Sequence, residues 1–182
     1  MLTKADIEKY FIAEKQESLL FLILGIIAIV TAVVLLIMVK NNFWRGFAIP
    51  LIAIGLVQAI VGFNVYKRSD ADRVRVVYAH DLNPYDLKTK ELPRMQKVIK
   101  NFIVYRWVEI AFLAIAIILI VLYKNNAVVE NSWKGNAFAY GLGVALAIQS
   151  VNALVSDFFA EKRAAIYTQL LQQKIEKEFG NK

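Results

Sequence analysis

Apolar positions in this chain fall into four blocks, at about 19–39, 46–66, 102–123 and 135–156, with charged stretches between them. Each block holds roughly 20 residues, enough at about 1.5 Å per residue to cross a hydrocarbon core of about 30 Å. The blocks do not alternate polar and apolar, as the strands of a barrel must, so helices are the form that satisfies their backbone in lipid. The mixed-charge leader and the length of the first block read as a retained span and not as a cleaved signal.

The helical pattern continues past one end of each block. Ile7, Tyr10, Phe11 and Glu14 suggest that the first helix starts near Thr3, a candidate N-cap. Pro93 suits the first turn of the third helix, with Met95, Val98, Ile99 and Phe102 as its buried side. Phe158, Phe159, Ile166, Leu170, Ile175 and Phe179 recur at helical spacing before Gly180, a stop signal. The second helix should reach about His80, and Asn83-Pro84-Tyr85-Asp86 reads as a turn. The expected fold is all-α: a four-span bundle whose helices extend into the cytoplasm.

Charge sets the expected direction. The leader, the middle connection and the tail hold 17 Lys and Arg, against four (Lys40, Arg45, Lys124 and Lys134) in the two short outer connections. This asymmetry predicts cytoplasmic termini and a cytoplasmic middle connection. Trp44 and Trp133 then fall at the outer interface and Trp107 near the inner one.

The two halves also resemble each other. Phe11-Ile12 matches Phe102-Ile103, Lys40-Asn41-Asn42 matches Lys124-Asn125-Asn126, and Trp44-Arg45-Gly46 matches Trp133-Lys134-Gly135. The reading is two parallel helical-hairpin repeats, 1–90 and 91–182, in a single bundle, related by an axis along the membrane normal. Small residues repeat on helix faces: Gly25, Ala28 and Ala32; Gly55, Ala59 and Gly62; Gly141 with Ala145; Gly143 with Ala147. Such faces allow close approach in lipid, within one chain or between chains.

Polar residues inside the spans are the candidate site. Glu109 lies about two turns into the third span, three residues from Arg106, which is close enough to pair. Gln149 and Asn152 share a face of the fourth span with Ser156, and Gln58 lies at similar depth in the second. Glu109, Arg106, Gln58, Gln149 and Asn152 are therefore expected to form a polar cluster toward the inner leaflet. It would serve either as hydrogen-bonding glue between helices or as a hydrated path or pocket.

Composition narrows the chemistry. The chain has 182 residues, 58% of them hydrophobic, no cysteine, one histidine and a formal net charge of +7. The absence of cysteine excludes disulfides, thiol catalysis and thiolate metal sites, and a single histidine argues against a zinc enzyme. No phosphate loop, HExxH motif or nucleophile elbow is present. Arg75-Val76-Val77-Tyr78-Ala79-His80 has four residues between arginine and histidine. That spacing resembles the active-site motif of the HEPN ribonucleases (higher eukaryote and prokaryote nucleotide-binding domains), whose two residues act on RNA. The likeness covers six residues and lacks the polar residue that commonly follows the arginine, so a solvated helix end is expected here instead.

The expected protein is a non-enzymatic integral membrane protein, without cofactor or metal, that acts by binding protein or lipid. It would be a small subunit, a regulator or an immunity-type protein of a membrane complex, in a bacterial inner membrane. The expected partners are the anionic inner leaflet and either a membrane protein or further copies of the chain; nucleic acid is not among them. The alternatives are an oligomeric channel or small transporter whose polar path includes Glu109, and an enzyme acting on lipid.

Overall fold

The computed structural model describes residues 2–124 and 136–180 and is all-helical there. Four long helices account for nearly all of it: α1 (Lys4–Met38), α2 (Asn42–Leu82), α3 (Leu92–Tyr123) and α4 (Asn136–Phe179). One helical turn, Pro84–Asp86, and a π-helical stretch, Leu87–Glu91, lead from α2 into α3. The four helices are long and apolar enough to cross a membrane, which suggests a membrane protein. The second outer connection, with Asn125, Asn126, Trp133, Lys134 and Gly135, lies outside the described residues.

The helix ends follow local chemistry. Thr3 caps α1 in a reciprocal box: the Asp6 backbone N–H donates to Thr3 Oγ1 at 3.2 Å, and the Thr3 N–H donates to Asp6 Oδ2 at 2.9 Å. Two donors at the helix start are satisfied at once. Pro50 lies inside α2, and the helix continues through it. Pro93 has no N–H to offer the Thr89 carbonyl, and its ring would strike that carbonyl in a regular α-turn. The backbone widens just before it, and the Leu92 N–H reaches back five residues to the Leu87 carbonyl.

The chain forms two compact units. The first comprises Met1–Leu19, Phe63–Tyr105 and Ser156–Lys182; the second comprises Leu20–Gly62 and Arg106–Val155. Every long helix contributes to both.

The first unit has a core of large side chains: Leu2, Ile7, Tyr10, Phe11, Val76, Leu87, Met95, Tyr167, Leu171 and Ile175. Val98 and Phe102 pack against it, as the pattern of α3 predicts. The last part of α4 differs from expectation. Its buried face runs through Ala164, Tyr167, Thr168, Leu171, Lys174 and Ile175, while Phe158, Phe159 and Ile166 are exposed. Counting apolar residues rotated that face, because two of the residues that turn inward, Thr168 and Lys174, are polar.

The second unit is built the opposite way. Among its described residues every buried side chain is small or an amide: Gly25, Ala28, Ala32, Asn42, Gly46, Ala48, Pro50, Gly55, Gln58, Gly62, Ala116, Ala137, Gly141, Gly143, Ala145, Gln149 and Ser150. Ile26, Ile27, Val30, Val57, Ile60, Ile117, Ile118 and Val121 all face outward. Close backbone approach takes the place of a large-residue core. A Cβ on Gly25 would meet the Gly55 carbonyl at 2.6 Å and the Ala59 nitrogen at 2.7 Å. A Cβ on Gly143 would meet the Leu119 Cβ at 2.8 Å. Gly46 lies against the Phe138 carbonyl and Gly141 against the Phe43 carbonyl. These glycines pack helix against helix within one chain.

Candidate functional site

In the second unit, Gln58 and Gln149 are buried, Glu109 is half-buried, and Arg106 and Asn152 are exposed. Gln58 is only 2% exposed, wedged where α1 and α2 approach through Gly25, and its amide nitrogen has no hydrogen-bond partner. The hydroxyl of Ser150, next to Gln149, is in the same state. A buried polar group left in this condition costs about 1–3 kcal/mol.

The first unit holds a polar constellation that the sequence pattern did not reveal, centred on Glu91 at the end of the π-helical stretch. Glu91 is 1% exposed. Its Oε1 accepts from Arg94 Nη2 at 2.7 Å and from the Tyr167 hydroxyl at 3.3 Å. Its Oε2 accepts from Arg94 Nε at 3.0 Å and from Arg75 Nη2 at 3.2 Å. Two donors on each oxygen saturate the carboxylate, the condition under which a buried charge is tolerated. Three separate chain segments supply these donors, so Glu91 ties α2, α3 and α4 together.

Aromatic rings of α1 close this centre. Tyr10 stacks on Tyr167 with centroids 4.3 Å apart, and the Arg94 guanidinium lies 5.3 Å from the Phe11 ring centre. Burial pushes the Tyr167 phenol well above its ordinary value, and the Glu91 charge acts in the same direction. Tyr167 thus stays protonated and donates. Burial works against the charge on Arg94, but its hydrogen bonds to Glu91 and the attraction of that carboxylate outweigh it and hold the guanidinium charged.

Glu14 forms a second centre nearby. Its Oε1 lies 3.5 Å from the Tyr10 hydroxyl and 3.9 Å from Arg68, and its Oε2 lies 3.2 Å from the Ser69 hydroxyl. Burial raises the Glu14 carboxyl above the usual value, opposed by Arg94, Arg68 and Ser69. Further ion pairs join Glu17 to Arg163, Lys15 to Asp70 and Lys4 to Asp81.

This geometry also accounts for the Arg75–His80 spacing. Arg75 is held by Glu91 and by Asp72. The His80 ring is held between Asp81 and the Leu2 carbonyl, at 3.0 and 3.3 Å. Both side chains join helix ends together.

A shallow groove of about 270 Å³ lies between α3 and α4, lined by Gln96, Ile99, Ala165, Thr168, Gln169 and Gln172. The Thr168 hydroxyl is already donated to the Ala164 carbonyl at 2.7 Å. Apart from that hydroxyl, the groove lining offers amides and apolar groups and no charged side chain.

No known family model, curated protein or solved structure matches the chain.

The only local trace of the buried centre in the sequence is the pair Glu91 and Arg94, three residues apart on either side of Leu92 and Pro93. In the charge pattern Arg75 and Arg94 counted only toward membrane orientation. Nothing local to them announces that a tyrosine 76 residues beyond Glu91 completes the set.

Proposed function

We propose that this is a non-enzymatic integral membrane protein that acts by binding a protein partner through its first unit. The observation that carries this reading is an apolar stripe on α2. Val74, Tyr78 and Leu82 are 65%, 60% and 71% exposed, and Ala71 before them is exposed on the same face. Tyr85, just past the helix, is also exposed. Val74 lies eight residues beyond the second apolar block, about 12 Å along the helix axis, and Leu82 about 24 Å. Lipid covering the apolar block does not reach that far. A contiguous, tyrosine-bearing apolar patch on a water-exposed surface is the kind of surface proteins use for association.

The second unit supports the membrane part of the reading. Turning so many large aliphatic side chains outward is unfavourable in water and costs nothing in hydrocarbon. The excess of Lys and Arg around the first unit supports a cytoplasmic placement of that unit and of both termini, in a membrane such as the bacterial inner membrane. Duplication is supported by packing. Gly55 is faced by Gly25, Ala28 and Ile29, and Gly143 by Ala116, Leu119 and Ile120, each 91 residues further on. Phe102 likewise stands 91 residues after Phe11.

The test is a photo-crosslinking amino acid placed singly at Val74, Tyr78 and Leu82 in cells. The expected result is a discrete protein adduct at these positions and none at Gln172 on α4. Absence of any protein adduct along the stripe would overturn the binding reading.

A second reading, a channel or small transporter in which several copies assemble, draws on the buried Gln58 amide and Ser150 hydroxyl, which water in a hydrated path would satisfy. It predicts that Glu109→Gln changes ion flux in liposomes; unchanged flux would remove it.

A further inference from the structure

We infer that the occupant of the α2 stripe is a second copy of this chain, paired parallel and in register about a two-fold axis that runs along α2. This inference rests on the binding reading above and on both copies sitting in one membrane with the same orientation.

Two independent arguments converge on the parallel arrangement. The first is geometric. Two copies inserted the same way round are related by an axis along the membrane normal, so equivalent helices in a symmetric pair run in the same direction. The second is electrostatic. At 100° per residue, Ala71, Val74, Tyr78 and Leu82 fall within one narrow face of α2. One flank of that face carries Asp70 and Asp81, and the other carries Arg68 and Arg75. The flanks are partly exposed even though each charge also pairs within its own chain: the Asp70 side chain, paired with Lys15, is 53% exposed, Arg68, 3.9 Å from Glu14, is 49% exposed, and Arg75, paired with Asp72 and Glu91, is 39% exposed.

In a parallel pair the acidic flank of each copy meets the basic flank of the other, whereas an antiparallel pair sets acid on acid and base on base. Asp70 and Arg75 are five residues apart, the separation at which flanking charges of parallel helices approach. Lys67 marks the limit of the stripe at its membrane end, where its ammonium can turn to the headgroups. Tyr78 falls near the middle and supplies a large, rigid contact surface at the centre of the patch.

The chain has no cysteine, so single-cysteine variants report cleanly. Ala71→Cys, Val74→Cys, Tyr78→Cys and Leu82→Cys are oxidised separately in native membranes, and the mass of the unmodified protein is measured in nanodiscs. The expected results are disulfide-linked dimers at every stripe position, none for Gln172→Cys, and a nanodisc mass of two copies. Adding Asp70→Lys to Val74→Cys should reduce the dimer yield several-fold, because it places like charges beside Arg75. Cross-linking at one stripe position alone would show an antiparallel contact and overturn the proposal, as would a nanodisc mass of a single copy. A single-copy mass together with a photo-adduct to a different protein would overturn the second copy and leave the binding reading standing. No adduct of any kind would remove both.

Discussion

The two units of this chain are made from the same four helices and solve opposite problems. In the first unit, Phe11, Leu87, Met95 and Leu171 turn inward and a carboxylate is buried with every lone pair used. In the second, glycine, alanine and amides turn inward while Ile26, Ile27, Ile60, Ile117 and Ile118 turn out. The difference teaches which force each unit relies on. On the placement proposed above, water drives the first unit together by expelling large apolar side chains, whereas lipid gives the second unit no such drive, because a tail is as apolar as an isoleucine, and leaves it to be held by the fit of backbone against backbone.

The sharpest way to break this contrast is Glu91→Ala. It leaves Arg75 and Arg94 facing a buried gap and removes the acceptor for Tyr167. The expected loss is about 3–5 kcal/mol in chemical unfolding of the purified protein. A loss below about 1 kcal/mol would mean that the centre is more hydrated than its geometry indicates.

Next comes a matched truncation in each unit. Leu171→Ala, in the core of the first unit, should cost about 2–5 kcal/mol. Ile118→Ala, on the outward face of the second, should cost less than about 0.5 kcal/mol, because its methyl groups pass from protein to lipid with little change in surroundings. Equal losses would erase the distinction between the units.

Gly141→Val tests close approach directly. The new side chain has no room beside the Phe43 carbonyl, and backbone cannot rotate away as a side chain can. The expected cost is about 1–3 kcal/mol, read as a lower thermal midpoint in detergent. A midpoint equal to wild type would show that α2 and α4 do not depend on that contact.

The smallest effect is a pH slope. Burial raises the Glu14 carboxyl above its ordinary value of 4.5, so the folded chain holds this proton more tightly than the unfolded chain. The penalty for burying the carboxylate is fully present above the folded pKa, and it is relieved as pH falls from there toward 4.5. Glu14→Gln should be more stable than wild type near neutral pH and lose this part of the slope. A variant with an unchanged slope would assign the titration elsewhere.

How far the sequence could be read follows the same division. The candidate spans were legible because lipid imposes a simple rule, about 20 apolar residues without charge; α1, α2 and α4 obey it, and α3 does so except at Arg106 and Glu109. The Thr3 cap and the Pro84 turn were legible because their chemistry is local. Within the candidate polar cluster, Gln58 and Gln149 are buried, Glu109 is half-buried, and Arg106 and Asn152 lie exposed. Helical periodicity places a residue on a face but does not say which face turns inward. The Glu91 centre was hidden because its members come from Arg75, Arg94 and Tyr167 on three helices, and each in isolation looks like an ordinary surface residue. The π-helical stretch that leads into Glu91 depends on Pro93, which the pattern read only as a helix start.

The most direct test of the account is a cysteine-accessibility scan in intact cells with a membrane-impermeant maleimide, using Asn41→Cys, Ile27→Cys, Ile118→Cys and Tyr85→Cys. The account predicts labelling of position 41 from outside, labelling of position 85 only after permeabilisation, and no labelling at 27 or 118 in either state. Ready labelling of positions 27 and 118 would put the outward-facing isoleucines in water, and labelling of position 85 in intact cells would reverse the orientation; either result contradicts it.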